Sequence, residues 1–447
     1  MIYKNKLVES IIYEIDAVTA SPVSIKADRD TLKVDDVTGK FYIPGSSITG
    51  AFRNYYENYV CQNKENILFG DSDSGMNRLI CYDAFCADDS GRQMVSSRPG
   101  IRIDRRKLTG AYSISMGRKA GGKFKRLYVN DGIRFKFVFE LNNYDDCDFD
   151  QVQEQFEELL AAFAGGDILL GNSKTVGFGR FKINTIYKTA YNLEDYNSLK
   201  KYLLKESDDN DKEDITKLIL NKRDRNKNVR FIIKAKTTTP LLIKDEVVKS
   251  SKYPDGINIK NGSDEYVIPG SSLKGALRSR AEKIAETFPC IDRTLIDNIF
   301  GKAANEEEEA SISRFVCYDT VIRNSKTGVY NKIKIDYFTG GVQQHALLQD
   351  ETVMGDLEIE CVFNPYGVLQ NDKEKYDKEI GLLLLAIRDL CTEDLNIGGG
   401  YAVGRGLIKA SMLELLIGDE RLIYNFESPD KQVEDQFNSY ISKLMVG

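Results

Sequence analysis

Two short segments carry residues suited to holding a phosphate. Ile43-Pro44-Gly45-Ser46-Ser47-Ile48 returns as Ile268-Pro269-Gly270-Ser271-Ser272-Leu273, at an offset of 225. Pro-Gly-Ser-Ser marks a strand-to-helix junction. The glycine lets a ligand approach the backbone, the serines cap the helix, and the helix start offers N–H groups to an anion. Lys274 and Arg278 lie four apart, on one helix face beside the second junction. The first junction keeps Arg53 but has Thr49 in place of the lysine. A plain helix cap is the simpler use; finding the junction twice favours a phosphate site. Two glycine loops add to it: GNSKTVGFGRF at 171–181, with Lys174, and GGGYAVGRGL at 398–407, with Arg405. Neither has the Gly-Lys-Ser/Thr of a Walker loop, and each precedes a strand, where a dinucleotide fingerprint would follow one. Either is a tight turn or a point of close approach to a nucleic-acid backbone.

Composition removes several chemistries. Among 447 residues there is one histidine, His345, and no tryptophan. Repeated Ser-His-Asp sites, histidine-rich zinc sites and paired-histidine ribonuclease chemistry are excluded. The eight cysteines are scattered through a long chain, which fits a reducing cytoplasm better than a disulfide scaffold. No apolar run approaches the roughly 20 residues of a membrane span, and no secretory leader is expected. The net charge is −6, yet residues 98–126 hold ten lysines and arginines against Asp104 alone, a net of +9. Arg98, Arg102, Arg105, Arg106, Arg118, Lys119, Lys123 and Lys125 belong to that run. A solvated basic loop and a nucleic-acid contact both fit it. The acidic runs at 206–214 and 306–309 read as solvated linker and loop.

The elements that must position these residues occur twice. Leu68-Phe69-Gly70 returns as Ile299-Phe300-Gly301, Cys81-Tyr82-Asp83 as Cys317-Tyr318-Asp319, Ile103-Asp104 as Ile335-Asp336, and Val176-Gly177-Phe178-Gly179 as Val403-Gly404-Arg405-Gly406. Matches in one order at nearly constant offset mean two copies of one domain. The expected domains are 1–191 and 230–447, joined by a charged linker at 192–229. Each copy reads as α+β. Opening strands are expected at 10–18 and 230–242, and a helix after each Pro-Gly-Ser-Ser, with Ile48, Phe52, Tyr55 and Tyr59 as the first copy's stripe. Strands follow at 78–86 and 312–322, then at 132–141 and 355–363. Second helices are expected at 149–164 and 374–391, and last strands at 179–187 and 406–415. The order β-α-β-β-α-β is ferredoxin-like, with long insertions.

The repeated Ile-Pro-Gly-Ser-Ser junction, the Phe-Gly, the Tyr-Asp strand end and the Gly-x-Gly before the last strand together resemble the RAMP superfamily. The chain looks like the backbone subunits of type III CRISPR effector complexes, with two fused copies as in subtype III-D or related fused systems. The resemblance covers most of the chain outside the linker and the last twenty or so residues. It implies tandem RNA-recognition-motif-like palms that grip guide RNA through its sugar-phosphate backbone, indifferent to sequence. It implies β-hairpin thumbs, here at 98–126 and at 332–350, that kink the guide–target duplex. Lys332 and Lys334 are balanced by Asp336 and Asp350, so the second thumb is expected to be neutral and to grip more weakly. It also implies a loop aspartate upstream of each junction that cuts target RNA at the kink. Counting back 13 residues from Ile43 gives Asp30, and from Ile268 gives Asp255. Asp28, Asp35 and Asp36 crowd the first loop.

The implied chemistry is attack by the RNA's own 2′-OH on the adjacent phosphate, assisted by a divalent cation, Mg²⁺, held by these carboxylates. Zinc, found in some relatives, is not expected: Cys81 and Cys86 lack partners at ligand spacing and read as core. The implied partners are guide RNA, complementary target RNA and other effector subunits, with no membrane. Three other readings stay open: a non-catalytic guide-binding scaffold, a guide-processing endonuclease, and a β-rich binding module that does not bind RNA.

Overall fold

In β1 (Glu9–Thr19) the residues Ile11, Tyr13, Ile15 and Ala17 are buried, while Ile12, Glu14, Asp16 and Val18 are not, the period-two pattern of a strand with one covered face. The structure is a computed structural model describing residues 6–28, 31–61, 67–70, 77–88, 91, 93–101, 103–104, 109–110, 112–115, 118–144, 148–206, 211–222, 228–246, 254–302, 310–343, 347–365 and 372–445. After β1 the first copy runs α1 (Gly45–Tyr55), β2 (Leu79–Cys81), β3 (Ala84–Cys86), β4 (Val95–Ile101), β5 (Lys123–Val129), β6 (Arg134–Asn143), α2 (Phe149–Gly165) and β7 (Phe181–Asn192). β1 lies between β6 and β7, antiparallel to both, and β2 and β3 pair with the far edge of β6. This is the ferredoxin-like strand order, with α1 and α2 supplying apolar faces to the sheet. Its core is aromatic: Phe52, Phe137, Phe139, Phe156 and Phe163 are fully buried, and Phe137 meets Phe163 edge-on at 5.4 Å.

The helical stripe differs from expectation at its end. A π turn, Tyr56–Val60, follows α1. Its extra residue rotates the face, so Tyr56 is buried, while Tyr55 and Tyr59 stack on each other at 4.5 Å. The charged stretch after β7 is partly folded. α3 (Tyr196–Leu204) and α4 (Thr216–Asn221) pack on the first sheet, with Ile215 and Ile219 buried. The Tyr202 hydroxyl donates to Glu140 at 2.7 Å.

The second copy runs β8 (Val229–Thr237), α5 (Gly270–Thr287), α6 (Thr294–Phe300), β9 (Phe315–Cys317), β10 (Arg323–Lys332), β11 (Leu348–Phe363), α7 (Lys373–Cys391) and β12 (Ile408–Ile417). β8 lies between β11 and β12, and β9 pairs with β11, so the strand order repeats. So does an irregularity: the pairing of the first strand slips at Asp16/Ala17 in β1 and at Lys234/Ala235 in β8. The fold is two tandem ferredoxin-like domains. β13 (Glu420–Asn425) extends the second sheet beyond β12, and α8 (Lys431–Met445) covers α7. Gly381 permits that approach, since a Cβ there would stand 2.5 Å from the Tyr440 carbonyl oxygen.

Spatially the chain forms two compact units. One comprises Met1–Val95, Tyr128–Lys174 and Phe178–Asn226; the other comprises Ser96–Leu127, Thr175–Gly177 and Lys227–Gly447. Among the described residues no helix is long and apolar enough to cross a membrane.

Candidate nucleic-acid interface

Both Pro-Gly-Ser-Ser segments are strand-to-helix junctions, but the serines do not cap. The cap positions are Pro44 and Pro269, neither with a side-chain cap bond; Ser46, Ser47, Ser271 and Ser272 lie inside the first turn. The first amide is satisfied from elsewhere. Gly45 N–H donates to Asp83 Oδ1 at 2.6 Å, and Gly270 N–H to Asp319 Oδ1 at 2.8 Å. The repeated Tyr-Asp therefore serves the repeated Pro-Gly. Only glycine fits there: a Cβ would stand 2.1 Å from the Cys81 carbonyl oxygen or 2.0 Å from that of Cys317. The serines of α1 are exposed and those of α5 half-buried.

The arginines of these helices explain the repeated Phe-Gly. Arg53 Nη2 donates to the Gly70 carbonyl at 3.1 Å, and Arg278 Nη1 to that of Gly301 at 2.7 Å. Each also pairs with a glutamate one turn on, Glu57 and Glu282. Lys274 Nζ donates to the Thr175 carbonyl oxygen at 3.0 Å, and burial pulls its pKa down to about 8. Burial also lowers that of Lys174.

The basic run is a β ribbon. β4 pairs with β5, and between them Tyr112–Ser115 pairs with Arg118–Gly121 as a hairpin. Arg118 and Lys119 lie on that hairpin; Arg102, Arg105 and Arg106 lie outside the described residues. Lys123 and Lys125 are exposed, with Lys125 3.1 Å from Glu246. Arg98 is buried and pairs with Asp319 Oδ2 at 2.8 Å. The second thumb is longer than expected from its charges. β10 adds Arg323 and Lys326 before Lys332, pairing with β11 from Lys332↔Leu348 to Arg323↔Asp356. Its tip is apolar. Tyr337 and Phe338 are 93% and 91% exposed and meet edge-on at 5.6 Å, just after Asp336, which accepts from the Phe338 and Thr339 amides.

Of the loop aspartates, Asp30 lies outside the described residues, as does His345. Asp255 is exposed, and its Oδ2 accepts from Gln349 N–H of β11 at 2.8 Å. Its neighbour Gly256 donates to the Gln349 carbonyl and accepts from Glu351 N–H. Beside them lies a cluster that the sequence did not reveal. Asp350 is buried and pairs with Lys244 at 3.1 Å, with Arg405 at 2.9 Å and with Lys332. These cations hold its carboxyl at about 2, below the usual 3.8, against the opposing effect of burial. Arg405 also stacks on Tyr330, with its guanidinium 5.1 Å from the ring centroid. It is thus anchored in the protein at the turn before β12.

The RAMP superfamily model matches residues 16–182 and 234–409, most of the chain and both copies. The chain belongs to the RAMP superfamily. Among solved structures, this RAMP protein is similar to a chain of a type III-B Cmr-β complex bound to cognate target RNA. They share 15% identity at a TM-score of 0.31, over 40% of this chain and 61% of that one. The match therefore spans under two thirds of that chain, and it says nothing of what this protein binds. No curated protein matches.

The donors around Asp255 bear on the Mg²⁺ that the resemblance implies. Among the described residues, no three His, Cys, Asp or Glu side chains gather. Mg²⁺ is commonly held by one or two carboxylates with substrate phosphates and water. Asp255 is an exposed carboxylate with one oxygen tied to the backbone, and it fits that role. Cys86 and Cys317 are buried and Cys81 is half-buried, its thiol pushed up to about 11 by burial.

Proposed function

We propose that this RAMP protein is a backbone subunit of a type III CRISPR effector complex, holding guide RNA and cutting complementary target RNA in antiviral defence. One observation carries the reading. The Asp255 loop is fastened by hydrogen bonds to Gln349 and Glu351 of a long hairpin thumb, so a nucleic acid bent over the thumb would meet a carboxylate at a fixed place. The basic ribbon of the first copy and the apolar tip of the second thumb support it. The ribbon suits phosphates, and Tyr337 and Phe338 suit an unstacked base.

In this reading Asp255, and Asp30 in the first copy, would hold Mg²⁺ at the target phosphate. When bound, Mg²⁺ would supply neutralisation of the phosphate charge during attack by the neighbouring 2′-OH. The protein's own part is geometry. The thumb would kink the strand so that the 2′-OH lies in line with the bond to be broken, and the fastened loop would keep the carboxylate beside that phosphate. The RNA supplies its own nucleophile, so the lone histidine is no obstacle and DNA is not cut. A scaffold role, with cutting done by neighbouring subunits, is the second reading. It is favoured by the neighbouring Asp350, whose carboxylate is taken up by Lys244, Lys332 and Arg405. Assembly with guide RNA and complementary RNA tests both. Cutting abolished at one position by Asp255→Ala and at another by Asp30→Ala supports the nuclease. Unchanged cutting with both replaced leaves the scaffold.

A further inference from the structure

Asp350 faces more positive charge than it can neutralise. Lys244, Lys332 and Arg405 converge on one buried carboxylate. Counting Asp255 as well, the group keeps an excess of one positive charge. The three cations are not equivalent. Arg405 is buried and stacked on Tyr330, while the side chains of Lys244 and Lys332 are 53% and 40% exposed. Each lysine thus pairs with Asp350 while much of its side chain stays open to solvent.

Their position is set by backbone pairing. Gly256 bridges to Asp350 and Lys244 to Asn258, and Asn258 Nδ2 donates to the carbonyls of Leu241 and Glu351. Gly256 follows Asp255 directly, and it has room for nothing larger. A Cβ there would stand 2.7 Å from Asp350 Oδ1 and 3.0 Å from Lys244 Nζ. The Lys244 ammonium is therefore packed against the residue next to Asp255, and Lys332 reaches the same carboxylate from the end of β10.

We propose that Lys244 and Lys332 form a phosphodiester-binding pair beside Asp255, with Asp350 as the positioning residue that holds both ammonium groups there. Two ammonium groups on one buried anchor lose little freedom when a phosphate arrives, and they place its charge next to the Asp255 carboxylate. The proposal rests on the reading of Asp255 as a cutting site only for its effect on rate; phosphate binding stands apart from it.

The test uses the full chain assembled with its guide RNA, carrying Lys244→Gln, Lys332→Gln, both together, or the corresponding Lys→Arg changes. Binding of single-stranded RNA is measured across KCl concentrations, and cutting of complementary RNA at saturating target. Each Gln change should make the salt slope shallower by about 0.7. It should also slow the Asp255-dependent cut at least tenfold, leaving the other cut alone. The Arg variants should restore most of both. Asp350→Asn, which keeps both ammonium groups and removes the charge that anchors them, should slow the cut with a smaller change in slope. A wild-type complex that cuts nothing, with the slope still falling in the Gln variants, would overturn the nuclease reading and keep the phosphate pair. Folded Gln variants with the wild-type slope would overturn the pair. So would Arg variants that lose as much as the Gln ones. Melting curves on every variant decide which are folded; if the double variant is not, the two single ones decide.

Discussion

Asp319 stands 2.8 Å from the amide of Gly270 with one carboxylate oxygen and 2.8 Å from the Arg98 guanidinium with the other. The aspartate that starts α5 is thus also the one that neutralises a buried arginine of the basic ribbon. In the first copy Asp83 makes the same amide bond to Gly45, at 2.6 Å. Asp83→Ala should cost about 0.5–2 kcal/mol, the usual loss for a helix cap. Asp319→Ala should cost more than Asp83→Ala, because it removes the Arg98 ion pair as well as the amide bond. Urea unfolding of the two variants measures the difference, and equal losses would separate Arg98 from Asp319.

Gly270→Ala is expected to be worse than its size suggests. The added methyl would overlap the Cys317 carbonyl, and moving β9 or α5 apart costs about 1–3 kcal/mol. Gly275→Ala, on the same helix with open space around it, should be neutral or slightly stabilising. Melting temperatures of the pair check this.

Acid should act on Asp350. Its folded-state pKa of about 2 lies below the ordinary 3.8, so its ion pairs add stability that is fully present above pH 3.8. That stability is lost as the pH falls through about 2. Asp350→Asn should lower stability at neutral pH and flatten the fall between pH 4 and 2. Denaturant midpoints across that range read the effect, and parallel curves for the two proteins would contradict it.

Binding should depend on the exposed charges of the ribbon. Reversing Lys123 and Lys125 to glutamate should weaken RNA binding and make its salt slope shallower, by about 0.7 for each phosphate that is no longer neutralised. Reversal at Arg98 is a different experiment. That side chain is buried against Asp319, so the change should appear first as a drop in stability. Filter binding and thermal melting on the same samples tell the two effects apart.

The order of elements was legible because each copy confirms the other. Period-two burial in β1 and β8 and the apolar faces of α2 and α7 stand in the sequence itself. The end of α1 did not, because a π turn depends on how Tyr56 packs. The aspartate caps were hidden for another reason: a serine beside a helix start reads as its cap, whereas the true acceptors, Asp83 and Asp319, lie 38 and 49 residues away. The Asp350 cluster was hidden further still. Lys244 is brought to Asp350 by the bridges of Leu241 and Gly256 to β11, and Arg405 reaches it from the turn before β12, a register that no local pattern encodes. Lys332 and Asp350, counted in the sequence as charges that cancel, instead form part of one fixed group.

The duplication visible in the sequence and the partition of the folded chain do not coincide. Ser96–Leu127 and Thr175–Gly177, written in the first copy, are built into the unit formed by Lys227–Gly447. A gene cut at the linker would therefore not yield two self-sufficient halves. The downstream fragment would have Asp319 without Arg98 and Lys274 without the Thr175 carbonyl, and the upstream fragment would carry Ser96–Leu127 without the unit it is built into. The fusion is thus more than a tether that keeps two ferredoxin-like domains together. Part of the folding information of one module is stored in the other, and the pair must be inherited, expressed and degraded as a single piece.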